Sequence, residues 1–148
     1  MRPAFQLATI LVNDSVIREA ITKKEERTFL NFIKNDTHYR QYYDGMYILF
    51  KIGMRISEFT GLTLSDLAFE NRIINMDHQL QKTGTLMYMD TTKTYAGKWV
   101  IPMTDDVYEA FKDILAARPE LKVEPMIDGY SVFLCFDKDE NAEKIGDV

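Results

Sequence analysis

Ile52-Gly53-Met54-Arg55-Ile56-Ser57-Glu58-Phe59-Thr60-Gly61-Leu62-Thr63-Leu64-Ser65-Asp66-Leu67 sets one arginine at the seam between two helices. Upstream of it, Tyr43, Met46, Tyr47 and Phe50 recur at helical spacing, which predicts a buried helical face ending near Ile52. Gly53 stops that helix and lets the next one leave at a sharp angle. Helices are therefore expected over 39–52 and over 56–61, with Arg55 between them. Hydrophobic neighbours on both sides give Arg55 a partly buried root in this reading, and Glu58 stands one turn on, placed to pair with and orient the guanidinium. A planar, permanently charged fork held by a carboxylate suits a phosphodiester oxygen.

Outward from this seam the chain reads as a helical protein with a small sheet. Residues 1–15 carry Pro3 and no clear period, and read as a linker; residues 16–148 read as one folded portion. Thr22-Lys23-Lys24-Glu25 is a capping box, after which Phe29, Leu30 and Ile33 make one apolar face until Asn35-Asp36. Ser65-Asp66 is expected to shape a turn. From Arg72 the period changes. Arg72 to Met76, Leu86 to Thr92 and Lys98 to Ile101 predict three antiparallel strands, the last two joined through a Tyr95-Ala96-Gly97 corner. Thr104 caps a further helix with Asp105 and Asp106 in its first turn and Val107, Phe111, Ile114 and Leu115 on one face; Pro119 closes it. Val132 to Phe136 is a short strand or an extended segment. The fold class is α+β, mainly helical with a small three-stranded antiparallel sheet.

The 148 residues, 46% of them hydrophobic, with nine Phe and eight Tyr, suffice for one core. The single cysteine, Cys135, excludes an internal disulfide and sits in an apolar run as a buried thiol, as in a reducing cytoplasm. The apolar run from Phe5 to Val12 is too short to span a bilayer, so neither membrane insertion nor export is expected. A net charge of −5 opposes a nucleic-acid partner, because duplex binders present cations that displace counterions. The charge is uneven, however. Asp137, Asp139, Glu140, Glu143 and Asp147 crowd the end of the sequence, whereas Lys82, Lys93 and Lys98 fall in or beside the expected hairpin. No Gly-rich phosphate loop, metal-ligand cluster or Ser/His/Asp constellation points to a small-molecule substrate.

The run from Gly53 to Leu67 resembles the tyrosine recombinases, or phage integrases, and among them the integrases of conjugative transposons. The likeness continues through Asp77-His78-Gln79-Leu80-Gln81, Thr91-Thr92-Lys93-Thr94-Tyr95-Ala96-Gly97, Ile101-Pro102-Met103-Thr104 and Glu124-Pro125-Met126-Ile127-Asp128-Gly129-Tyr130. These blocks occur in order from about Asp14 onward. The resemblance implies the N-terminal portion of the integrase catalytic domain, with 1–15 leading from an N-terminal DNA-binding region, in a bacterial cytoplasm. It implies no metal and no nucleotide cofactor, and as partners double-stranded DNA at a recombination site and other recombinase protomers in a synaptic complex. By the same resemblance Arg55 grips the scissile phosphate with Glu58 in support, Lys93 protonates the leaving 5′-oxygen, and Lys98 contacts DNA. Without the resemblance, Lys93 reads as a solvated turn lysine.

The family continues with a His-x-x-Arg box, a second His or Trp, and a tyrosine that joins DNA as a 3′-phosphotyrosine. No His-x-x-Arg occurs here. His38 and His78 stand upstream of where those boxes belong, and His78 reads as a strand-end polar residue. None of the eight tyrosines lies in the final motif, and Tyr43 and Tyr47 read as core. The expectation is a recombinase fragment that is inactive alone for want of its nucleophile, with apolar surface left open. The alternative is a non-catalytic DNA-binding or protein-interaction module on the same scaffold.

Overall fold

A computed structural model of the chain describes residues 19–91 and 98–135. The capping box forms as expected. Thr22 Oγ1 accepts from the Glu25 amide at 3.2 Å while the Glu25 carboxylate accepts from the Thr22 amide at 2.8 Å, and α1 runs Lys23–Asn35. Leu30 and Ile33 are its buried residues; Phe29 is more exposed and meets Phe50 edge to face. A 3₁₀ turn over Tyr39–Tyr42 leads into α2, Tyr43–Ile52, which Gly53 ends in the left-handed region at φ 74°. α3 is Ile56–Thr60. Of the face that the spacing predicts as buried, Tyr43, Met46, Tyr47 and Phe50 are only half-buried, with Tyr47 packed on the core; the buried residue of α2 is Ile48, which the spacing left out.

The three-stranded antiparallel sheet exists, with a different membership. β1 (Leu67–Ala68) and β5 (Trp99–Pro102) flank β2 (Ile73–Met76). β4 (Leu86–Thr91) pairs instead with β3 (His78–Thr83), so the expected pairing of Leu86–Thr92 with Lys98–Ile101 is not what forms. The reason is local. Gly84 at φ 62° opens a two-residue turn that closes β3 on β4 at once, with Thr83 opposite Leu86. The Tyr95-Ala96-Gly97 corner lies outside the described residues, as do 1–18, where the linker is expected, and 136–148.

α4 is Asp105–Ala117 and packs on α2. Thr104 occupies the cap position, but its hydroxyl donates to Asp106 instead of accepting a helix amide; the same Asp106 carboxylate accepts from the Val107 amide at 3.1 Å. Val107, Ala110 and Phe111 are buried and Ile114 and Leu115 pack beside them. After Pro119, β6 (Met126–Ile127) and β7 (Tyr130–Ser131) form a second tight hairpin through Asp128 and Gly129, both at positive φ. The described part of the Val132–Phe136 run is no regular strand: Val132 turns in the left-handed region at φ 59°, and Phe133 makes a single antiparallel bridge to Thr63. Leu64 N–H donates to Val132 O at 3.0 Å and Leu134 N–H to Leu62 O at 3.1 Å. Arg118 fastens it, donating to Phe133 O at 2.9 Å and bidentately to Glu124. Cys135 packs against the core, and burial pushes its thiol up to about 12.

The main core joins α2, α3, β2 and α4 through Ile48, Phe59, Leu62, Ile74, Val107 and Phe111; Leu80, Met89 and Phe133 make a smaller one. Gly61 marks the tightest approach between the helical part and β3. A Cβ there would stand 2.8 Å from the backbone nitrogen of Leu80. Backbone cannot rotate away as a side chain can, so Gly61→Ala is expected to cost about 1–3 kcal/mol, the range for overpacking. Urea denaturation checks it; an unchanged midpoint would mean that β3 is free to retreat from α3.

Candidate functional site

Arg55 occupies the cap position of α3 in extended backbone, φ −71° and ψ 150°. Its amide donates to Glu58 Oε2 at 2.8 Å, and its guanidinium Nη1 lies 3.9 Å from Glu58 Oε1. The side chain is 79% exposed, against 14% for Glu58. The expected buried root is therefore not found. Extended backbone at the cap points the side chain away from the helix, and Met54 takes the buried position beside it. What Glu58 fixes firmly is the Arg55 backbone; the long side-chain pair is worth little in water. The guanidinium thus keeps its five donors for an outside ligand.

α3 is a platform tied down at both ends by β3. Near its start Ser57 Oγ donates to Gln79 Oε1 at 2.9 Å, and Gln79 Nε2 in turn donates to Asp90 Oδ2 at 3.3 Å. Past its end, Gly61 O accepts from His78 Nε2 at 2.9 Å. His78 begins β3, as the sequence reads, and is buried there, 3% exposed. Its Nδ1 meets Asp77 Oδ1 at 2.6 Å and its Nε2 lies 3.2 Å from Asp66 Oδ2; its ring lies 4.4 Å from that of Tyr130. Asp66 Oδ2 also accepts from the Thr63 amide and hydroxyl, each at 2.8 Å. Thr63-x-x-Asp66 has the spacing of a capping box, the one sequence signal that could have exposed this cluster.

Burial pushes the His78 imidazole down, but the bonds to Asp66 and Asp77 and the Asp66 charge outweigh it and carry the group up to about 9. Burial likewise pushes Asp66 up, while its bonds from His78 and Thr63 hold it below the ordinary carboxylate value. At neutral pH this is an imidazolium between two carboxylates. One donor atom from each of Asp66, Asp77 and His78 lies within 4.8 Å of the others, the spacing of a metal site. Both ring nitrogens of His78 face oxygen acceptors, Nδ1 toward Asp77 and Nε2 toward Gly61 O and Asp66, so as it stands the cluster works as an ion-pair clamp under α3.

The structure thus brings Arg55 and Glu58 together on α3. Lys98 stands exposed just ahead of β5, on a separate element. Lys93 lies outside the described residues. Among the described residues no helix is long and apolar enough to cross a membrane.

The sequence profile of the phage integrase family matches residues 19–139. The transposase from transposon Tn916 of Enterococcus faecalis is 47% identical over 132 residues, which cover 88% of this chain and 32% of that protein. The transposase from transposon Tn1545 of Streptococcus pneumoniae matches to the same extent. The chain thus spans about a third of the length of these curated relatives. Among solved structures, the Tn1549 transposon integrase in complex with a circular intermediate DNA superposes with a TM-score of 0.84 at 42% identity, covering 92% of this chain and 44% of that one. The same integrase in complex with transposon right end DNA gives 0.83 at 42% identity, over 92% of this chain and 43% of that one.

Proposed function

Because the chain belongs to the phage integrase family, we propose that it is part of a conjugative-transposon tyrosine recombinase that cuts and rejoins double-stranded DNA in the bacterial cytoplasm. The observation that carries this reading is Arg55, an exposed guanidinium loosely paired with Glu58 and with its backbone fixed by the same carboxylate, on a helix anchored to β3. Strand exchange displaces a 5′-oxygen from phosphorus and puts a tyrosine oxygen in its place. The tyrosine loses its proton and the departing oxygen gains one. Negative charge builds on the non-bridging oxygens as this happens, and a forked cation meets two of them at once. Arg55 takes this role, Lys93 donates the proton to the leaving oxygen, and Lys98 holds the DNA backbone beside it. Recombinase protomers in a synaptic complex supply the second duplex.

The test is a chimaera in which residues 19–139 replace the matching segment of the Tn916 transposase, challenged with a nicked duplex that traps the covalent intermediate. Covalent protein–DNA product is expected. A folded chimaera that binds the duplex and forms none would overturn the catalytic reading and leave a binding module. In the same chimaera, Lys93→Ala is expected to slow cleavage about 10²- to 10⁴-fold, the usual worth of a positioned general acid. A 5′-bridging sulfur, which departs without a proton, is expected to restore the rate; no restoration would reduce Lys93 to holding DNA.

A further inference from the structure

The groove between α1 and α2 has no part in the chemistry above. It encloses about 420 Å³ and is lined by Lys23, Arg27, Asn31, Lys34 and Lys51, with Tyr43 and Tyr47 on the α2 side. Lys23, Arg27 and Lys34 are four and seven residues apart in succession, which sets all three on one face of α1. They are exposed and form no ion pair with a described carboxylate. The carboxylate in the groove, Glu26, is taken by Lys51 at 3.2 Å and so does not cancel the others. Asn31 Oδ1 accepts from Asn35 at 3.1 Å, which leaves the Asn31 amide hydrogens to donate outward. The Tyr47 hydroxyl is spent on Asp106 at 2.5 Å, so its ring lends the groove an apolar wall.

We propose that this groove is a second DNA-contact surface, which takes the sugar–phosphate backbone of one strand beyond the cleavage point. The inference rests on the recombinase reading for its ligand and on the groove for its place. From Lys23 to Lys34 the basic face runs about 16 Å at ~1.5 Å per residue. One DNA strand presents a phosphate every ~3.4 Å of axis, so the face meets about five of them. Fixed cations on one helix face suit such a row, whereas a single small anion would leave most of them idle. Lys51, on the last turn of α2, lies four residues before Arg55, so the groove leads along the chain to the proposed phosphate clamp. A chain of net charge −5 can bind a polyanion this way, by gathering its cations where the backbone passes.

The experiment measures binding of the 148-residue chain to a duplex of arbitrary sequence over a series of salt concentrations. The groove variant is Lys23→Gln with Arg27→Gln and Lys34→Gln; the control removes as much charge elsewhere, through Lys24→Gln, Lys112→Gln and Lys122→Gln. All six side chains are exposed, and thermal denaturation confirms that each variant is folded. Each phosphate contact contributes about 0.9 to the slope of log affinity against log salt, so the groove variant is expected to lose roughly 2 to 3 from it, and at least ~tenfold in affinity. The control is expected to keep the wild-type slope and Arg55→Ala to lose about one. An unchanged slope in the groove variant, an equal loss in the control, or no duplex binding by the wild-type chain would each overturn the inference. A groove variant with the wild-type slope beside a defective Arg55→Ala would do so while leaving the recombinase reading intact.

Discussion

Arg55→Ala in the Tn916 chimaera is expected to lower strand cleavage by about 10² to 10³, the usual loss when one preorganised donor to a developing oxyanion is removed. Duplex affinity should fall far less, since one phosphate contact among several is lost. The exposed guanidinium packs against nothing that stability needs, so denaturation of the variant should stay within about 0.5 kcal/mol of wild type. Cleavage can therefore fail without the fold failing. Arg55→Lys keeps the charge but not the fork, and should recover only part of the rate. Single-turnover trapping of the covalent product reads the two cleavage rates, duplex titration the affinity and denaturation the stability; undiminished cleavage by the alanine variant would remove Arg55 from the site.

The second large effect lies under the platform. His78→Ala leaves Asp66 without its cation and Gly61 O without its donor. Removing one partner of a buried pair costs 3–5 kcal/mol, and Asp66 keeps a little solvent, so about 3 kcal/mol is expected. His78→Gln, which can still donate to Gly61 O, should recover part of this. The sign of the pH dependence follows from the two shifts. His78 is raised from 6.5 to about 9, so its contribution is whole below pH 6.5 and disappears as pH climbs through 9. Asp66 is lowered from 3.8, so its contribution is whole above that value and disappears as pH falls beneath it. The cluster should therefore stabilise most between about pH 4 and 6.5. Thermal denaturation at pH 6 and pH 9.5 should show a drop in the wild type and a smaller one in His78→Ala. Equal drops would mean that His78 is not the group titrating.

Features decided by residues near one another in sequence were legible. Thr22-x-x-Glu25 announced its cap, Gly53 its left-handed turn, and Val107 and Phe111 their shared face. Strand pairing was harder, because Lys98–Ile101 and Leu86–Thr92 look equally suited to each other and to other partners. The deciding signals were small: Gly84 for the β3–β4 turn, and Asp128-Gly129 for the β6–β7 turn. The clamp of Asp66, Asp77 and His78 spans a turn, a strand start and the end of α3, and only the Thr63-x-x-Asp66 spacing hints at it in the sequence. The exposure of Arg55 failed for a related reason. Apolar neighbours in the chain do not bury a side chain whose backbone turns it outward.

Arg55 stands on a rigid base with a loose hand. Its amide is locked to Glu58, yet its guanidinium waits in water, held by a contact of 3.9 Å. Freezing that side chain costs up to ~2 kcal/mol of rotamer freedom, and only a phosphate in place repays it. On the proposed reading, the duplex itself is the last component of the site. If Arg55 clamps the scissile phosphate as proposed, the site stays disarmed while the protein diffuses, and its timing is set by the arrival of the strand.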